Sequence, residues 1–186
     1  AEIYKILVQR VMQQISPIYS QLVRICWVFD PIEKEDEMKG WIKKELDDLG
    51  FTDLNRHIFW SQSDGGLGDR LQSAFEKAFS LDYDRIIAIG TDCIELDSRT
   101  IERALASLSS ERSIVFGPSF DGGYYLVGMR SNLGLSVFRS IPWSTSKVLE
   151  QSLDRAVSFD SEYTLLEECN DVDTLEDWNS MRLLIE

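Results

Sequence analysis

The strongest constraint on how this chain folds is the run Arg85-Ile86-Ile87-Ala88-Ile89-Gly90, whose apolar residues are continuous rather than alternating. A strand with one wet face alternates; one without alternation is covered on both faces, as in sheets flanked by helices. Leu22 to Phe29 (LVRICWVF) reads as another strand. Between such runs the period changes to that of a helix. Leu71, Ala74, Phe75, Ala78 and Phe79 form one stripe, and Ile101, Ala104, Leu105 and Leu108 form a second. Further stripes are Val148, Leu149, Leu153, Ala156, Val157 and, near the end, Trp178, Met181, Ile185. Alternation of this kind predicts an α/β fold, a three-layer α/β/α sandwich with a mostly parallel sheet. In such sheets ligands bind beyond the C-terminal ends of the strands. At 186 residues the chain reads as one domain, 1–186, by the usual yield of about 150 residues per domain.

The opening departs from that pattern. Residues 1–21 read as an amphipathic helix through Ile3, Ile6, Leu7, Val11, Ile15 and Ile18. An α/β sheet normally opens with a strand, so a leading strand is expected ahead of Ala1. An aromatic surface left without it would favour a homodimer.

Charge and rare residues exclude several functions. Lys plus Arg number 19 against 32 for Asp plus Glu, a net charge of −13 that repels nucleic-acid backbones. A small phosphorylated ligand stays admissible if a metal ion screens it. No apolar run reaches the 18 residues of a membrane span, and no secretory signal opens the chain. Cys26, Cys93 and Cys169 are widely spaced, without a CxxC pair, which disfavours a disulfide scaffold or zinc site and fits a reducing cytoplasm. His57 is the sole histidine, in the strand-like His57-Ile58-Phe59-Trp60, and reads as a partly buried filler.

Four loops carry residues with chemical potential. Gly90-Thr91-Asp92-Cys93 follows the apolar strand. Asp97 has a structural task there, capping the helix of the Ile101 stripe. Asp92 has none so evident: it can bind a hard divalent cation or simply satisfy loop amides. Gly117-Pro118-Ser119-Phe120-Asp121-Gly122-Gly123-Tyr124-Tyr125 lies between two apolar runs. It reads as a hairpin turn, and equally as a place where glycines admit a ligand to the backbone beside Asp121. Gln62-Ser63-Asp64-Gly65-Gly66-Leu67-Gly68-Asp69-Arg70 leads into a helix N-terminus, which suits a phosphate or a base, or is a plain connector. It is neither a Walker loop nor a dinucleotide fingerprint. In Asn170-Asp171-Val172-Asp173-Thr174-Leu175-Glu176, Asp173 and Glu176 read as a capping box. That leaves Asp171 as a second carboxylate opposite Asp92.

Taken together, strand-GTDC, GPSFDGGYYLVG, Ile141-Pro142-Trp143-Ser144-Thr145-Ser146 and the terminal DVDTLEDW resemble the DUF2064 family. Its members are described as GT-A superfamily glycosyltransferases, also as radical-SAM/selenodomain-associated transferases linked to arsenosugar biosynthesis. The resemblance runs over the whole chain and implies a nucleotide-diphospho-sugar transferase fold. By that similarity Asp92 matches the metal-binding aspartate after the central strand, and Asp171 the later acidic ligand for Mg²⁺ or Mn²⁺. Gln62 and Gly68, with Arg70 in the same segment, fall where relatives cradle the nucleotide. Asp121, Gly122, Gly123 and Tyr124 fall at the sugar or acceptor pocket, with Trp143 as its wall or as a core residue. Ile94 and Leu175 stand where the family has proline. The family also opens with a strand and a basic loop that this chain is expected to lack.

The activity implied is metal-dependent glycosyl transfer from a nucleotide sugar to a small-molecule acceptor, with Asp92 at the cation and Asp121 as base. Nucleotidyl transfer from CTP or GTP to a phosphorylated substrate would use the same fold and would release pyrophosphate instead. A non-catalytic nucleotide-binding protein is the third reading.

Overall fold

The computed structural model describes residues 2–20, 23–51, 54–172 and 174–181; the expectations placed on Leu22, Asp173 and Ile185 lie outside them. In chain order come α1 (Glu2–Ile15), β1 (Ile25–Phe29), α2 (Glu35–Asp48), β2 (His57–Ser61), α3 (Leu67–Ser80), β3 (Ile86–Ile89) and α4 (Ser98–Ser107). Then follow β4 (Ser113–Pro118), β5 (Tyr124–Met129), α5 (Val148–Ser158), β6 (Glu162–Leu165) and α6 (Leu175–Met181). Among the described residues no helix is long and apolar enough to cross a membrane.

The strands form two sheets. One is the parallel pair β1-β2, and the other has the order β3-β5-β4-β6. β4 and β6 are parallel, while β5 runs against both β3 and β4. Thus β3, β4 and β6 share one direction and β5 alone is reversed. The reason is local: β5 follows β4 through the short turn Ser119–Gly123, which only an antiparallel partner can use. The hairpin reading of the Asp-Gly-Gly segment is correct, with a five-residue connection rather than a two-residue one.

Side chains alternate into two apolar clusters, one on each face. Ile87 and Ile89 of β3 and Val115 of β4 meet Val11 and Met12 of α1, Ile42 and Leu46 of α2, and Ile101 and Ala104 of α4. Ile86 and Ala88, with Ile114 and Phe116, meet Phe75 of α3, Ala156 of α5 and Val137 and Phe138 of the 3-10 segment Asn132–Phe138. The helices packed over these clusters are the two outer layers of the expected sandwich. β3 is covered on both faces as its sequence implies, yet its four residues are only half-buried, because β5 is its sole strand partner among the described residues. Two apolar-stripe expectations fail: Val157 is 65% exposed and Ile6 37%, each lying just outside the buried face of its helix.

The caps fall close to where the sequence puts them. Asp97 Oδ1 accepts from both Thr100 N–H and Thr100 Oγ1 at 2.8 Å. For α6 the reciprocal capping pair is Thr174 with Asp177, one residue later than expected: Thr174 N–H donates to Asp177 Oδ2 at 2.8 Å, and Asp177 N–H to Thr174 Oγ1 at 3.1 Å. His57 is buried, and Trp27 Nε1 donates to its Nδ1 at 3.1 Å, so its role is packing.

Burial alone would push the Asp97 carboxyl up, but the Thr100 hydrogen bonds, aided by Arg99 and Arg103, hold it below the ordinary carboxylate range. A depressed folded-state value stabilises above the unfolded value, near pH 4, and that stabilisation is lost as pH falls through the folded one. Asp97→Ala is therefore expected to cost about 1 kcal/mol in urea denaturation at pH 7, a gap that narrows below about pH 4.

Candidate functional site

Beyond the C-terminal end of β3, Gly90 N–H still donates to Tyr125 O at 2.8 Å, and the chain leaves the sheet immediately afterwards. Asp92 thus sits at the strand's rim. A β-carbon on Gly90 would collide with Asp92 Oδ1, so glycine is what lets that carboxylate fold back over the strand end.

The segment 169–172 is bound to this rim and to the β4–β5 turn together. Val172 N–H donates to Asp92 O at 3.1 Å, and Asn170 N–H to Glu95 Oε2 at 2.8 Å. On its other side Cys169 N–H donates to Pro118 O at 3.1 Å and Phe120 N–H to Cys169 O at 3.3 Å. A satellite apolar cluster of Leu7, Ile94 and Val172, with Ile3 and Trp178 against it, anchors the junction. Ile94, where the resembled family has proline, is therefore a packing residue.

In the β4–β5 turn, Gly123 N–H donates to Asp121 Oδ1 at 2.8 Å, fixing the carboxylate, and Gly122 adopts φ +89°. A β-carbon at Gly122 would sit 2.7 Å from the Ser146 carbonyl carbon, and Leu149 N–H donates to Gly122 O at 2.9 Å. The turn and the 143–149 segment are thereby held edge to edge. Trp143 leans on Tyr124, ring centroids 6.1 Å apart and nearly perpendicular, and lies over Gly68, where a β-carbon would come within 2.8 Å of its Cε2.

These four segments line one half-open cavity of about 670 Å³, within the range of small-molecule sites. Asp92, Asp121, Gly123, Tyr124, Trp143 and Asp171 all line it. Burial pushes the Tyr124 hydroxyl well above its usual range, so it stays protonated and is no base. Burial likewise raises the Cys93 and Cys169 thiols, which argues against a thiolate nucleophile beside the carboxylates.

Other expected residues fall elsewhere. Gly122 and Gly68 are not in the lining and act from behind it, the first under Ser146 and the second under Trp143. Gln62 and Arg70 form a separate polar cluster past the ends of β1 and β2. Arg70 Nη1 donates to Gln62 Oε1 at 2.6 Å, Nε donates to Gly65 O at 3.1 Å, and Asp30 Oδ2 lies 3.7 Å away. The lining also contains residues to which the sequence reading gave no site role: Leu67 and Leu71 of α3, and the consecutive hydroxyls Ser144, Thr145 and Ser146. The signal for the last three was present, three hydroxyl residues between a tryptophan and a helix start.

A family model described as "Uncharacterized protein conserved in bacteria (DUF2064)" matches residues 29–145. The chain belongs to that family. The DUF2064 match takes in Asp92, Asp121 and Trp143 and ends before Asp171. Among solved structures, a "putative nucleotide-diphospho-sugar transferase" from Desulfovibrio desulfuricans G20 is 29% identical, with a TM-score of 0.79 over 97% of this chain and 73% of that one. A 4-diphosphocytidyl-2C-methyl-D-erythritol synthase is 10% identical, TM-score 0.64, over 97% and 90% of the two chains. A CMP:2-keto-3-deoxy-manno-octonic acid synthetase complexed with CTP is 12% identical, TM-score 0.58, over 96% and 87%. The last two likenesses are of fold. No curated protein matches the sequence.

Because Gly68 sets the position of Trp143, Gly68→Ala is expected to destabilise by about 1–3 kcal/mol in urea denaturation and to shift tryptophan emission. In a Trp143→Ala background the same substitution should cost under about 1 kcal/mol, the coupling that marks direct contact.

Proposed function

We propose that this cavity is the active site of a metal-dependent glycosyltransferase that takes a nucleotide-diphosphate sugar and a small-molecule acceptor. The observation that carries the reading is the company kept by the carboxylates. Asp92, Asp171 and Asp121 line one cavity with Trp143, and among the described residues its lining includes no Lys or Arg. Three anionic side chains would repel a diphosphate unless a cation intervenes. Among the described residues no group of three or more metal-binding side chains gathers. Protein ligation by two carboxylates suits a hard ion that keeps waters and takes the rest of its shell from substrate phosphates. Asp92 and Asp171 would hold Mg²⁺ or Mn²⁺, whose charge would offset that of the departing nucleoside diphosphate.

The chain's own residues supply the remainder. Trp143 and Tyr124 give an apolar wall against which a sugar ring can lie while water is kept from it. Asp121, oriented by the Gly123 N–H, would take the proton from an acceptor hydroxyl as that oxygen bonds to the sugar carbon and the bond to the diphosphate breaks. The Arg70–Gln62 cluster is a candidate contact for the base or ribose at the far end of the donor.

Asp92→Ala is expected to keep the wild-type circular dichroism and melting cooperativity. It should also abolish the Mn²⁺-dependent thermal shift with nucleotides and lower turnover by 10²-fold or more, several kcal/mol of lost charge stabilisation. Assays scoring nucleoside diphosphate separately from pyrophosphate test the chemistry. Pyrophosphate alone would replace glycosyl transfer by nucleotidyl transfer; binding without either product would leave a nucleotide-binding protein.

A further inference from the structure

Four described non-glycine residues adopt the left-handed backbone conformation: Asp82, Ser140, Ser144 and Asp160. Three have a structural reason. Asp82 and Asp160 follow the caps of α3 and α5, where Tyr83 N–H returns to Ala78 O and Ser161 N–H to Ala156 O, the usual left-handed helix stop. Ser140 follows the Asn132–Phe138 segment and its cap, Arg139. Ser144, with φ +61°, ends no helix and lines the cavity.

Its surroundings are fixed from both sides. Trp143 is seated over Gly68, and the Ser146 backbone is packed on Gly122. Thr145 spends its hydroxyl locally, donating to Pro142 O at 2.7 Å and accepting from Lys147 N–H at 3.3 Å. Ser144 is an exposed residue whose hydroxyl has no hydrogen bond among the described residues, in a conformation that glycine would adopt more easily. A hydroxyl both donates and accepts, which suits a neutral polyhydroxylated ligand better than a phosphate, and it lies next to the tryptophan wall.

We propose that Ser144 is a specificity-determining contact for the sugar of the bound donor, its hydroxyl exchanging hydrogen bonds with a sugar hydroxyl. The proposal rests on the glycosyltransferase reading of the same cavity. Strain at Ser144 is retained because the side chain that causes it is used.

The test is titration calorimetry with UDP, GDP and CDP and with their glucose conjugates, each with Mn²⁺, on wild type, Ser144→Ala and Ser144→Gly. Wild type should bind at least one conjugate several-fold more tightly than its parent diphosphate. Both variants should lose that increment, about 3–10-fold, with diphosphate affinity unchanged, and Ser144→Gly should melt at the same temperature or higher. Unchanged preference for the conjugate in Ser144→Ala overturns the assignment, as does a wild type that binds diphosphate and conjugate equally, while the active-site reading survives either result. Absence of any Mn²⁺-dependent binding by wild type overturns both.

Discussion

The backbone hydrogen bonds made by residues 169–172 hold the site together. They reach Asp92 on one side and Pro118 and Phe120 on the other, tying the loop after β3 to the turn between β4 and β5. The relation of Asp92 to Asp121 rests on the β3–β5 pairing, continued by Gly90 N–H to Tyr125 O, and on this third segment from far along the sequence. Val172, buried with Leu7 and Ile94, fixes that segment by apolar contact as well, so Asp171 comes to the cavity on an anchored strap rather than a loose end. Preorganisation of this kind lets carboxylates act without reorganising when charge shifts.

Much of this was legible from residue order. The unbroken Ile86–Ile89 run, the stripes of α3 and α4 and the Asp97 cap rest on local periodicity and capping chemistry, and each appears where the pattern places it. Asp92 and Asp171 could be singled out because each was left over once the nearby helix caps had been assigned. What was not legible depends on long-range packing. Nothing near Gly68 in sequence announces that a tryptophan 75 positions later needs the space above it, and nothing near Gly122 points to Ser146. The segment around Gln62 and Arg70 illustrates the same limit from the other side. Its glycines and helix start are plain in the sequence, whereas the hydrogen bonds from Arg70 to Gln62 and Gly65, outside the cavity's lining, are not.

Electrostatically the two clusters are opposites. Three aspartates line the cavity, whereas the ends of β1 and β2 carry an arginine tied to a glutamine and near an aspartate. The overall charge of −13 makes unscreened polyanions poor partners for the remaining surface, so phosphate recognition needs a screening cation or a basic side chain.

The reversed strand β5 has a consequence for assembly. Among the described residues β3 pairs with β5 and not with β4, so β3 gains an edge to join only once the hairpin of residues 113–129 exists. Hairpin closure is local and entropically cheap, whereas recruiting β3 and then the 169–172 strap closes progressively longer loops. Loop-closure entropy therefore favours forming the turn that bears Asp121 ahead of the contacts that bring in the carboxylates on either side of it.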